Sequence, residues 1–186
     1  MAQARGNTRQ RIQDVALELF AEQGYEQTSL REIAERLDVT KAALYYHFKT
    51  KEDILISIFE DLARPMDELI VWAGRQPPTL ETRQEILRRY QKALLAAAPL
   101  FRFMQDNQAA VSKLSVGLTF KERMIALTRL LQDPDFSMAD KVRSISAVFT
   151  MHAGTFFLHD VEGDPEEKRE AVLEVALDLI RQAHHA

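Results

Sequence analysis

The chain has 186 residues, 46% of them hydrophobic and 28% charged, with a formal net charge of −4 and no cysteine. This composition supports a buried core and excludes wholesale disorder, disulfides, thiol catalysis and thiolate metal sites. It also excludes a uniformly basic nucleic-acid coat, so any anion-binding surface must be local.

Nearly everything reads as helix, because only six glycines and six prolines punctuate the chain and no segment alternates with period two. The N-terminus has no apolar stretch of signal-peptide length, and no run approaches the ~18 apolar residues of a membrane span. A soluble, cytoplasmic protein is expected. The first helix should run over Thr8–Gln23, where Ile12, Val15, Ala16, Leu19 and Phe20 form an apolar stripe. Gly24 follows where a left-handed C-cap belongs. Ser29 and Glu32 form an S-x-x-E capping box for a short second helix with Leu30, Ile33, Ala34 and Leu37 on its apolar face. Asp38-Val39 interrupts the pattern, and Thr40 caps a third helix from Lys41 to about Phe48. Thr50 caps a fourth, with Asp53 at the box position. That helix should run toward Ala73 and end or kink near Pro65, which has no N–H to donate. After the break at "RQPP", helices are expected at Leu80–Ala97, Leu100–Val116, Phe120–Leu131, Met138–His159 and Glu166–His184.

The segment "SLREIAERL-DV-TKAALYYHF" has the build of a helix-turn-helix. Ala34 is the small residue required where the helices cross, and Ile33, Leu37, Val39 and Leu44 supply the internal contacts. Leu44 and Phe48 lie four apart and share the buried face, which turns Tyr45, Tyr46 and His47 mostly outward. From Val39 to Lys51 there is no acidic residue, although the chain as a whole is acidic. Exposed aromatics with polar tips, flanked by lysines, suit a surface that reads phosphates and base edges. The competing account makes Tyr45 and Tyr46 core-capping aromatics and leaves the lysines merely solvated; capping, turn and charge together speak against it.

Thr8–Leu55 resembles the DNA-binding domain of the tetracycline-repressor (TetR) family of transcriptional regulators. The resemblance runs through "RIQDVALELFAEQGYEQTSLREIAERLDVTKAALYYHFKTKEDIL" and covers roughly the first third of the chain. It implies an all-α fold: a three-helix helix-turn-helix domain over residues 1–52, joined through the fourth helix to a helical ligand-binding and dimerisation domain over 53–186. It further implies a ligand-responsive regulator, usually a repressor, that binds a palindromic operator in duplex DNA as a homodimer. By the same resemblance, Thr40, Lys41, Ala42 and Ala43 open the recognition helix, Tyr45 and Tyr46 reach bases or backbone, and His47 sits near a phosphate. Lys51 would grip the backbone at a helix N-terminus, and Thr28 would touch a phosphate. Many members carry Gly, Pro or a hydroxyl residue where this chain has Ala42-Ala43. Alanine can meet a thymine methyl but cannot hydrogen-bond a base, so direct readout leans on Lys41 and the tyrosines.

The resemblance places dimerisation mainly in the last two helices, and their apolar content fits. Val142, Ile145, Val148, Phe149, Phe156 and Phe157 give Met138–His159 more than one stripe; Val172, Val175, Leu177, Leu179 and Ile180 do the same for the last helix. Gly154 would allow close backbone approach. A pocket for a small, largely apolar effector is expected among Trp72, Tyr90, Phe101, Phe103, Met104, Phe120, Met124, Met151 and His152. His152 and His159 share a helix face seven apart, whereas metal pairs on helices usually sit at four. No metal, cofactor or catalytic set is therefore expected, and a polar role at the dimer seam or pocket suits His152 better. His184-His185 read as a loose terminus. The other classes weighed are a helical binding protein whose helix-turn-helix no longer binds DNA, and an all-helical enzyme using His152 or His159.

Overall fold

The computed structural model describes residues 2–107, 116–158 and 161–184. Eight helices lie among the described residues: α1 (Ala2–Gln23), α2 (Leu30–Arg36), α3 (Lys41–His47), α4 (Lys51–Ala73), α5 (Leu80–Asp106), α6 (Val116–Leu131), α7 (Met138–Phe157) and α8 (Pro165–His184). No strand occurs among them, and the protein is all-α. No described helix is long and apolar enough to cross a membrane.

Three expectations about helix ends need correction. α4 does not end at Pro65 but runs through it. The helices expected at Leu80–Ala97 and Leu100–Val116 begin as one, since α5 continues through Pro99 to Asp106; residues 108–115 lie outside the description. An interior proline removes one ladder bond and crowds the preceding turn. In α4 the buried stripe resumes directly beyond it, with Ile58 and Phe59 before and Met66, Leu69 and Ala73 after. Side-chain burial on both flanks offsets the local loss. α1 also starts earlier than its apolar stripe, at Ala2 rather than Thr8.

The chain forms two compact units, the first of residues 1–62 and 99–117, the second of residues 63–98 and 118–186. The division expected after residue 52 lies inside the first. Its core joins Ile12, Leu19 and Phe20 of α1, Ile33 of α2, Leu44 of α3 and Ile54, Leu55 and Ile58 of α4. Phe103, from the far end of α5, completes it. Its ring lies 5.8 Å from Phe20 and 6.4 Å from Tyr25. Asn107 accepts from the Tyr25 amide at 3.3 Å. A buried polar link fixes α1 on α4, with Gln13 Nε2 donating to Ser57 Oγ at 2.9 Å and to Asp61 Oδ2 at 2.6 Å.

In the second unit, Ile86, Leu87, Tyr90, Leu127, Leu131, Val148, Met151, Ala176 and Ile180 are buried. α7 and α8 touch at Gly154, as its lack of a side chain led one to expect. A Cβ there would fall on Val172 Cγ2 and lie 2.7 Å from its Cγ1 and 3.0 Å from its Cβ. Buried Arg83 gathers the ends of this unit: Nη2 meets Asp133 Oδ2 at 2.8 Å, and Nη1 lies 2.9 Å from His184 Nδ1. His184 is thus held rather than loose, a contact that nothing near the terminus announces.

Candidate nucleic-acid interface

The interface is assembled by local capping. Ser29 and Glu32 close the predicted box at the start of α2, with the Ser29 amide donating to Glu32 Oε2 at 2.7 Å. The Ser29 hydroxyl holds the Glu32 carboxyl below the usual carboxylate range. α2 then ends in a six-residue wrap: the Asp38 amide donates to Glu35 O at 3.2 Å and the Val39 amide to Ala34 O at 3.0 Å. This places Asp38 in the left-handed region, φ 53°, where glycine is the usual occupant. Thr40 accepts from the Ala43 amide at 3.2 Å and starts α3. Asp53 accepts from the Lys49 and Thr50 amides at 3.1 and 2.9 Å and starts α4.

α3 is thereby fixed with Leu44 and Phe48 inward and fully buried. Thr40, Lys41, Ala42 and Ala43 are exposed at its start. Tyr46 stands out at 65% exposure, while Tyr45 and His47 are half-buried. The Lys41 ammonium lies 5.4 Å from the Tyr45 ring centre, and the Tyr46 and His47 rings meet edge-on at 5.3 Å. The face thus offers an ammonium, two phenols and an imidazole, around two alanines small enough to admit close approach of a duplex. Two cations missed in the sequence flank it: Lys49 Nζ donates to Tyr45 O at 2.8 Å, and the Arg9 guanidinium lies 4.5 Å over the Phe48 ring. The acid-free run from Val39 to Lys51 could have flagged Lys49. The pairing of Arg9 with Phe48 had no local signal.

Two residues expected at phosphates make contacts within the first unit. Thr28 is buried, and its hydroxyl donates to Gly24 O at 2.9 Å while accepting from Gln23 Nε2 at 3.3 Å. It closes the end of α1 and is not on the surface. Lys51 turns inward: Nζ donates to Tyr25 O at 2.7 Å, Glu26 O at 3.1 Å and Thr28 O at 3.2 Å.

In the second unit, four of the expected pocket residues converge. Tyr90 Oη and His152 Nε2 share a hydrogen bond, the phenol donates to Met124 Sδ at 3.4 Å, and the Phe120 ring lies 5.7 Å from the imidazole. Burial pushes the His152 pKa down to about 4 and the Tyr90 phenol up. The imidazole is therefore neutral at pH 7. The remaining expected residues have the following surroundings. Trp72 lies under the Arg89 guanidinium at 3.8 Å, and Met104 packs against the first unit's core. Met151 faces a concavity of ≈ 280 Å³ with Gly154 and Val172. The Phe101 side chain is outside the description.

The expected dimer residues divide in the same way. Phe149 and Val175 are exposed, whereas Val148 is buried and the half-buried Val172 packs on Gly154. Leu179 is half-buried, and the Phe156 side chain and His159 lie outside the description. Met138, Val142, Ile145 and Phe149, spaced four, three and four apart, form an exposed apolar stripe on α7.

An all-α chain carrying this α2–turn–α3 unit has the architecture of a helix-turn-helix transcriptional regulator. Residues 12–58 match the family described as "Bacterial regulatory proteins, tetR family". The chain is 32% identical to the HTH-type transcriptional repressor KstR of Rhodococcus jostii (strain RHA1) over 154 residues, 78% of this chain and 71% of that protein. It belongs to the TetR family. A second relative, the HTH-type transcriptional regulator AcrR of Shigella flexneri, is 55% identical over 53 residues. That match spans 28% of this chain and only 25% of the relative. The solved structure of the fatty acid degradation regulator FadR from Bacillus halodurans shares the fold, with a TM-score of 0.65 at 20% identity over 91% of this chain and 94% of that one.

Proposed function

We propose that this protein is a cytoplasmic repressor that binds a palindromic operator as a homodimer and is released by a small, largely apolar effector. The observation that carries the reading is the capped α3, which buries Leu44 and exposes Lys41, Ala42, Ala43 and Tyr46, with half-buried Tyr45 and His47 beside them, in a segment free of acidic residues. One such helix reads only a few base pairs, so a unique site calls for two related by a two-fold axis. The exposed stripe of α7, with Val175 of α8, supports the homodimer. The Tyr90, Phe120, Met124 and His152 cluster supports an effector that is apolar apart from one hydrogen-bonding group. The test is selection of bound sites from random duplex DNA, followed by a small-molecule screen for release. The expected result is a palindrome of half-sites bound by a dimer, with affinity falling steeply with salt. Recovery of no enriched sequence would refute the reading.

A further inference from the structure

We propose that Lys51 is a positioning residue for DNA recognition and not a phosphate contact: its ammonium ties the turn before α2 to the first turn of α4, and so holds α3 between two fixed ends. This rests on the DNA-binding reading above. A lysine ammonium has three N–H donors. Here three backbone carbonyls, those of Tyr25, Glu26 and Thr28, lie 2.7, 3.1 and 3.2 Å from Nζ. The Tyr25 ring lies 4.4 Å below it and the Glu26 carboxylate 4.0 Å away. A phosphate would have to displace at least one carbonyl from a cation whose donors are all engaged. The partners precede Lys51 by 23 to 26 residues, so the contact closes a loop holding α2, the Asp38 turn and α3. Only Phe48, Lys49 and Thr50 separate α3 from the anchored helix. The apolar core sets where α3 lies, and the anchor restricts how far its C-terminal end can swing from the start of α2.

Two measurements on the full chain decide the matter. The first needs no DNA: nitrogen-15 lysine spectra of the wild type, with Lys51→Arg used only to assign the signal. A slowly exchanging Lys51 ammonium is expected in the DNA-free protein, and one that exchanges like the surface lysines would overturn the proposal. The second compares wild type, Lys51→Met and Lys51→Arg on the selected duplex and on a mixed-sequence duplex across a salt series. Both variants should lose at least ~10-fold on the selected site and less on the mixed one. The salt slope should stay within ~0.3 of wild type. Arginine should not rescue, because its planar fork cannot point three donors at converging carbonyls. A slope smaller by ~0.9, equal losses on both duplexes and rescue by arginine would make Lys51 a phosphate contact. If Lys51→Met fails to fold, the ammonium measurement and the arginine variant still decide. A wild type that binds no duplex overturns the DNA reading itself, an outcome visible before any variant is compared.

Discussion

At position 154, within a helix, the space a side chain would need is already filled by Val172. Alanine there would gain roughly 1 kcal/mol of helix propensity. Its Cβ would also land on Val172, a β-branched side chain that cannot swing aside within its helix. Overpacking of this kind costs about 1–3 kcal/mol, so the clash should match or exceed the gain. Gly154→Ala is expected to lower the urea midpoint, and adding Val172→Ala should restore it; an unchanged midpoint in the single variant would show that α7 and α8 are loosely packed. His152 makes a pH prediction. Its folded pKa of about 4 lies below the ordinary 6.5 because burial disfavours the imidazolium. The unfolded chain therefore takes up the proton first. The stability linked to His152 is complete above about pH 6.5 and is lost as pH falls toward about 4, with a slope of at most ~1.4 kcal/mol per pH unit. Urea unfolding at pH 7 and pH 5 should show a smaller loss in His152→Gln than in wild type.

Adjacent residues of α7 face opposite environments, and that gives the helix its sharpest test. Val148 is 1% exposed and Phe149 66%. A glutamate at 148 buries an unpaired carboxylate and should unfold the protein or cost several kcal/mol. A glutamate at 149 lies on the outward stripe and should leave the circular dichroism intact while light scattering falls to the monomer mass. If Phe149→Glu stays dimeric, the stripe is not the interface. From sequence alone the two were indistinguishable, because α7 is apolar on more than one side and periodicity cannot phase such a helix. The caps of α2 and α4 were legible for the opposite reason: four consecutive residues contain the whole interaction. An end or kink was expected at Pro65, and a break between Ala97 and Leu100, because a breaker rule sees only the local ladder and not the burial resuming on either side.

At the scale of the molecule, the DNA-reading unit is discontinuous in sequence. Phe103 belongs to its core although about eighty residues separate it from Phe20 and Tyr25. Phe103→Ala should cost about 3–5 kcal/mol, and DNA binding should weaken with the stability of the first unit. A variant with full wild-type affinity and stability would show that Phe103 is dispensable there. This residue was read from sequence as pocket lining, since an aromatic at helical spacing carries no label for its partner. The internal contacts of Thr28 and Lys51 were hidden in the same way. A motif states which residues occur together, but the carbonyls that receive the Lys51 ammonium lie 23 to 26 positions back. The fold class, the helix-turn-helix and the outward face of α3 were all visible beforehand, because each depends on contacts within a few turns.

Trp72 is the sole tryptophan of the chain, and it lies against Arg89 in the second unit. The first unit contributes only tyrosines to the emission. Intrinsic tryptophan fluorescence is therefore an optical channel confined to one half of the protein. A small molecule that shifts or quenches it has perturbed the second unit, whether or not DNA is present.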